Sequence, residues 1–232
     1  MVRKKNKNVS NLRGRQLIAH ENPKSPIAEQ FRTIRTNLQF TSVDTDLETM
    51  LVTSASPSEG KSITTANTAV VFAQQGKKTL LVDADMRKPT IHYTFRVDNT
   101  KGLSNYLVKS HLVTELASKT DVEHLDVIPC GPIPPNPSEL LGSDKMKSFI
   151  KEAKKTYDVV IFDMPPVLAV ADAQVLSNAV DGVLLVVRSK QTEKEAIQKA
   201  KEQLDQTKAN ILGVVLNDQD IKSSNYYYYY GQ

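Results

Sequence analysis

Cysteine is almost missing from this 232-residue chain: Cys130 stands alone, which excludes an internal disulfide framework, and the four histidines are scattered singly. Zinc chemistry is therefore not expected. Long apolar runs are missing as well. The strongest, Val159 to Phe162 and Val183 to Val187, fall far short of the roughly 18 residues that a membrane span needs, so any tie to a bilayer must come through a partner. Acidic residues are missing from Met1 to Arg15, which carries six Lys and Arg and no apolar h-region, so it does not read as a secretory signal. A cytosolic protein is expected. Without those six charges the rest of the chain sits at −2, so the net charge of +4 belongs to one end and gives no case for nucleic-acid binding. That end reads either as a solvated terminus or as a tip for anionic lipid headgroups or acidic partners.

What is present is an ordinary globular mixture, 40% hydrophobic and 24% charged, long enough for one domain with a full core. Ser25-Pro26 suits a helix start, and Ile27, Phe31, Ile34 and Leu38 then recur at three- and four-residue intervals as a core-facing stripe. Beyond it, short β-branched runs alternate with helical segments. Strands are expected at Met50 to Ser54, Thr79 to Asp83, Leu125 to Pro129, Val159 to Asp163, Gly182 to Val187 and Ile211 to Asn217. Helices are expected at Ser62 to Gln75, Leu103 to Leu107, Leu112 to Ser118, Asp144 to Thr156, Ala171 to Asn178 and Thr192 to Thr207. This alternation specifies an α/β fold, a mostly parallel sheet with helices on both faces. Three regions follow: a basic flexible segment over 1–24, the main domain over 25–220, and a tail over 221–232 holding Tyr226, Tyr227, Tyr228, Tyr229 and Tyr230.

Three motifs carry chemistry. Ala55-Ser-Pro-Ser-Glu-Gly60-Lys61-Ser62 follows a strand and opens a helix, the setting a P-loop requires. The loop from Pro57 through Ser58, Glu59 and Gly60 to Ile63 can wrap a triphosphate with its backbone N–H groups; Lys61 can reach its β- and γ-phosphates, and the Ser62 hydroxyl can ligate Mg²⁺. Asp83 and Asp85 lie two residues apart at the end of a buried strand, placed to share a metal and a hydroxyl or to stabilise a turn. Asp163 ends a third apolar strand ahead of Pro165-Pro166, as a Walker B acid does.

Together with the tyrosine cluster these motifs resemble the bacterial tyrosine kinases of polysaccharide biosynthesis, proteins with a P-loop NTPase-like fold. The proline-rich stretch Gly131 to Leu141 and the spacing Glu29-x-x-Arg32-x-x-Arg35 are also similar to that family's loop and oligomerisation motif. Ala55 departs from the usual first glycine, as members of the family often do. The resemblance implies ATP and Mg²⁺ as cofactors, with Lys61 on phosphate, Ser62, Asp85 and Asp163 on the metal, and Asp83 taking the proton of a tyrosine hydroxyl. Arg87 is implied either to help neutralise the γ-phosphate or to form a surface salt bridge, and Asn217 to contact the base or to cap a turn.

It further implies autophosphorylation of the tail in trans, a homo-oligomeric ring while unphosphorylated, other protein substrates and a phosphotyrosine phosphatase. With no apolar span, the short layout of the family is expected, recruited to the inner membrane face by a transmembrane activator of the chain-length-regulator type. Two other readings are a partitioning-type ATPase switch, against which Ser56 stands where that group has a signature lysine, and an inactive nucleotide-binding adaptor, against which the intact acidic residues stand.

Overall fold

The computed structural model describes residues 16–41, 46–109 and 111–219; Met1 to Arg15 and the tyrosine cluster lie outside them. The described residues form α1 (Ile18–Glu21), α2 (Pro26–Phe40), β1 (Thr49–Ser54), α3 (Lys61–Ala73), β2 (Thr79–Asp83), α4 (Ile91–Phe95), α5 (Leu103–Val108) and α6 (Val113–Leu116). They continue through β3 (Ser118–Lys119), β4 (Leu125–Ile128), α7 (Pro137–Leu141), α8 (Asp144–Ala153), β5 (Val159–Asp163), α9 (Asp172–Ser177), β6 (Gly182–Arg188), α10 (Lys194–Gln206) and β7 (Ile211–Asn217).

The strands make one sheet in the order β3-β4-β2-β5-β1-β6-β7, parallel throughout except for the two-residue β3 against β4. Every residue of β1, β2 and β5 is buried, as strands covered on both faces must be. One apolar layer joins Leu51, Val82 and Phe162 to Phe149 and Leu204 from the helices, and a second joins Val52, Leu81 and Ile161 to Phe31 and Phe72. Phe149 meets Phe162 edge-on at 6.3 Å and Tyr106 at 5.0 Å, a geometry that the ring quadrupoles favour.

Some sequence expectations need correction. The segment 1–24 is not flexible up to its end, because residues 16–21 strap across α3. Ala19 N donates to Asn67 Oδ1 at 3.0 Å, Asn67 Nδ2 donates to Gln16 O at 3.1 Å, and Gln74 Nε2 donates to Ala19 O at 2.9 Å. Four residues of α1 are too few to show a period, so the strap is held by these long-range bonds and not by local propensity. In α2, Ser25 caps the helix by accepting from Ala28 N, and Phe31 and Leu38 are buried with Ala28. Ile27, however, is 45% exposed: the covering elements reach only part of that stripe. The strand expected over Leu125 to Pro129 stops at Ile128, and Ser118, expected to end a helix, starts β3.

Asn67 is fully buried, so truncation would take the side-chain partner from both Ala19 N and Gln16 O, while Ile63 O keeps its place in the α3 ladder. Asn67→Ala is expected to cost about 2–4 kcal/mol, summing orphaned groups at about 1–3 kcal/mol each with partial relaxation. The urea midpoint measures it; a loss below about 0.5 kcal/mol, the usual range of surface changes, would show that the strap contributes nothing.

Candidate active site

The three motifs meet at one edge because β1, β2 and β5 are parallel neighbours, whose carboxyl ends open in the same direction. The register sets Asp83 directly beside Asp163 and Val52 on the other side of Asp163. The P-loop leaves β1 and enters α3 through Gly60 at φ +89°, where a Cβ would stand 2.0 Å from Asn217 Nδ2; both the dihedral and the approach demand glycine. Asn217, the last residue of β7, donates Nδ2 to Glu59 O at 3.0 Å and so braces the loop from behind.

Lys61 points into the acidic edge. Its Nζ stands 2.9 Å from Asp85 Oδ2, 3.4 Å from Asp163 Oδ2 and 3.2 Å from Ser62 Oγ, while Thr65 Oγ1 donates to Asp163 Oδ1 at 3.2 Å. Burial works to lower the Lys61 pKa, but the charges of Asp163 and Asp85 outweigh it and hold the ammonium protonated. Asp163 is pushed up by complete burial, with Lys61 opposing.

Asp83 differs from both. Its Oδ2 accepts from Thr90 N and Ile91 N, each at 3.0 Å, and so ties the start of α4 to the end of β2. Its Oδ1 is buried without a partner. Burial, reinforced by Asp163, raises its pKa to about 8 against the pull of the Ile91 amide and Lys61. The expectation that Asp83 and Asp85 act from one side is refined: Asp85 takes Lys61, and Asp83 keeps one oxygen in reserve.

Of the two roles implied for Arg87, a salt bridge is present, and its partner is buried. Its Nε and Nη2 donate to the two oxygens of the fully buried Asp172, each at 2.9 Å, and Ser138 on α7 also donates to Asp172. Asp85 Oδ1 accepts from Arg87 N and Lys88 N at 3.3 and 3.0 Å, which closes the turn that presents Asp85, and the Arg87 side chain ties that turn to Asp172 on α9 and Ser138 on α7. Asp172 and Ser138 carried no signal in the sequence, since 85 residues separate Arg87 from Asp172. Thr65, one turn beyond Lys61, was legible in principle from the helical period.

The three residues of the expected oligomerisation motif do not share one environment. Glu29 and Arg32 pair on the surface at 2.6 Å, whereas Arg35 Nη1 turns inward to Val71 O at 2.9 Å, near the C-terminal end of the P-loop helix. The five tail tyrosines lie outside the described residues.

A strand, a glycine-bearing loop, a lysine at a helix N-terminus and two acidic strand ends beside it define a P-loop nucleotide-binding domain. A family model described as an AAA domain matches residues 58–217. The chain is 52% identical to the tyrosine-protein kinase YwqD of Bacillus subtilis over 97% of its own length and 95% of that protein's. Among solved structures it is similar to the kinase domain of the Escherichia coli tyrosine kinase ETK, with a TM-score of 0.85 and 36% identity, covering 94% of this chain and 85% of that one. It is also similar to the chimerical protein CapA2B2, with a TM-score of 0.84 and 46% identity, covering 88% and 89%. The chain belongs to the bacterial tyrosine-protein kinases. It is an α/β P-loop enzyme that binds nucleotide and phosphorylates protein tyrosine, which sets aside the partitioning switch and the inactive adaptor. Among the described residues no helix is long and apolar enough to cross a membrane.

Proposed function

We propose that the enzyme transfers the γ-phosphoryl group of ATP to the tyrosines of its own C-terminal cluster, Tyr226 to Tyr230, in trans. The observation that carries this reading is the arrangement of Asp83, Asp85 and Asp163 about Lys61, with one oxygen of Asp83 buried and unpaired. Three carboxyl groups face one ammonium in a buried pocket, and burial pushes Asp83 and Asp163 towards their protonated forms; a divalent cation would relieve that cost and hold them ionised, while the free oxygen suits a hydroxyl donor.

The loop from Pro57 to Ile63 lines the triphosphate, with the N–H groups of Ser58 to Ile63 as donors, and Lys61 exchanges its carboxylate partners for the β- and γ-phosphates. Ser62, Asp85 and Asp163 would hold Mg²⁺, which neutralises charge on those phosphates. Asp83 accepts the tyrosine proton at Oδ1 while Oδ2 stays fixed by the Thr90 and Ile91 amides, so the base is positioned before the acceptor arrives. Asn217, already against the loop, contacts the base. Incubation with radiolabelled ATP tests the assignment: phosphotyrosine in the tail is expected, and free phosphate alone would overturn it.

Activity is set by a transmembrane activator of the chain-length-regulator type that recruits this chain to the inner membrane face and favours the ATP-bound state, in the control of capsule or exopolysaccharide synthesis. Other protein substrates and a phosphotyrosine phosphatase complete the cycle. Unphosphorylated chains form a ring through Glu29, Arg32 and Arg35, and several phosphates of about −1.5 to −2 charges each on one tail loosen it. Arg32→Ala is expected to abolish assembly in light scattering with little loss of stability, since an exposed pair contributes about 0.2–1 kcal/mol. Arg35→Ala should do so with a measurable fall in stability as well, because it also frees Val71 O. An unchanged mass in both variants would sink the ring.

A further inference from the structure

Between the P-loop and the start of α10 lies a cavity of about 250 Å³ walled by Pro57, Glu59, Arg188, Gln191, Thr192 and Ala196, with Lys61 not among its lining. Drug-sized ligands usually occupy pockets of about 300–1,000 Å³, and one water takes roughly 30 Å³; this cavity therefore suits a single large side chain. Glu59 is 4% exposed, and its two carboxylate oxygens differ. Oε1 accepts from Thr192 Oγ1 at 2.7 Å, whereas Oε2 is buried with no partner. A buried carboxylate oxygen left unpaired is costly, so the site asks for a donor. The Pro57 ring and the Ala196 methyl supply apolar contact beside it. A group with a flat apolar body and one donor at its tip, a tyrosine, meets both demands.

The chain delivers tyrosines to this place. Arg188, itself a wall of the cavity, donates Nε and Nη2 to Asp218 Oδ2 at 3.0 and 2.9 Å, and Ser189 Oγ donates to Gln219 Oε1 at 2.7 Å. The end of the described chain is thus tied to the cavity rim. Tyr226 follows Gln219 by seven residues, an extended reach of roughly 23 Å at about 3.3 Å per residue. We propose that a tyrosine of the C-terminal cluster docks within its own chain into the cavity between the P-loop and α10, its hydroxyl donating to Glu59 Oε2. This is a resting place distinct from the Asp83 edge, and it holds whether or not the tail is the phosphoacceptor. If the tail is, which rests on the reading above, a phosphorylated tyrosine loses its donor and brings about −1.5 to −2 charges against Glu59, so it leaves the cavity.

The test uses the full chain without ATP. Gln191→Cys with Tyr228→Cys is oxidised mildly beside a control pair, Lys77→Cys with Tyr228→Cys, Lys77 lying at the opposite, amino-terminal end of the sheet; Cys130 is buried and stays native. A tagged copy mixed in separates links within one chain from links between chains. The expected result is an intrachain disulfide forming at least tenfold faster for the Gln191 pair. The rate should fall at least fivefold when Ala196→Trp fills the cavity, when Glu59→Ala removes the acceptor, or when the other four tail tyrosines become phenylalanine, with melting temperatures recorded for each variant. Equal rates in the two pairs, links only between chains, or insensitivity to both Ala196→Trp and Glu59→Ala would overturn the proposal. So would a loss with Lys222→Ala that the phenylalanine changes do not reproduce, which would mean that an ammonium and not a phenol enters. With ATP, loss of the link in step with phosphotyrosine is expected. Absence of phosphotyrosine would count against the acceptor role while leaving the nucleotide-free link as it stands.

Discussion

Lys61→Met abolishes tyrosine phosphorylation and removes most ATP affinity, the largest effect expected of any single change in this protein. The ammonium is set among Asp83, Asp85 and Asp163, and it is the side chain from which the triphosphate charge gains a direct partner. The nucleotide-free protein feels the change as well. Asp163 is fully buried and Asp85 nearly so, so deleting their shared cation breaks a buried charge cluster at a cost of about 3–5 kcal/mol, reduced to the extent that a carboxylate takes up a proton. Calorimetric ATP titration and thermal melting check both halves. Retained autophosphorylation would defeat the P-loop assignment, and an unchanged melting temperature would defeat the charge-cluster account.

Asp83→Asn separates proton acceptance from binding. The amide keeps an oxygen for Thr90 N and Ile91 N, so α4 keeps its anchor, and Lys61 keeps Asp85 and Asp163. What disappears is the basic oxygen at Oδ1, which is buried and unpaired. ATP binding is expected to stay within a few-fold while transfer to tyrosine falls by roughly 10²-fold or more, the range that a positioned general base supplies. Equal loss of binding and transfer would make Asp83 chiefly a holder of metal. Asp83→Ala should do further damage, because it also releases the start of α4, a capping contribution of about 0.5–2 kcal/mol.

Much of this site was legible before any coordinates. Gly60-Lys61-Ser62 is read from sequence because the loop between a strand and a helix does its work with backbone amides, and their placement follows from local geometry. Asp163 is read because an apolar strand ended by a carboxylate and two prolines is local in the same sense. Asp83 and Asp85 were found, but their division of labour was not: it depends on where Lys61 reaches and on the α4 amides, which fold back from seven and eight residues downstream. Arg87 was left between two roles because its partner Asp172 comes from another helix. The spacing groups Arg35 with Glu29 and Arg32, and only the packing of α2 on α3 turns it inward to Val71.

The alternation of strands and helices and the parallel sheet are legible in the sequence, and so are the residues proposed for the chemistry, since each rests on periodicity or on contacts within a few residues. The tertiary structure alone decided which of those residues face one another. Strand order sets Asp83 beside Asp163, the strap at residues 16–21 closes on Asn67, and Glu59 is buried with one oxygen unpaired. These pairings join residues far apart in the chain, and their cost in loop closure is met by burial of the whole core, a quantity that no local window of sequence contains.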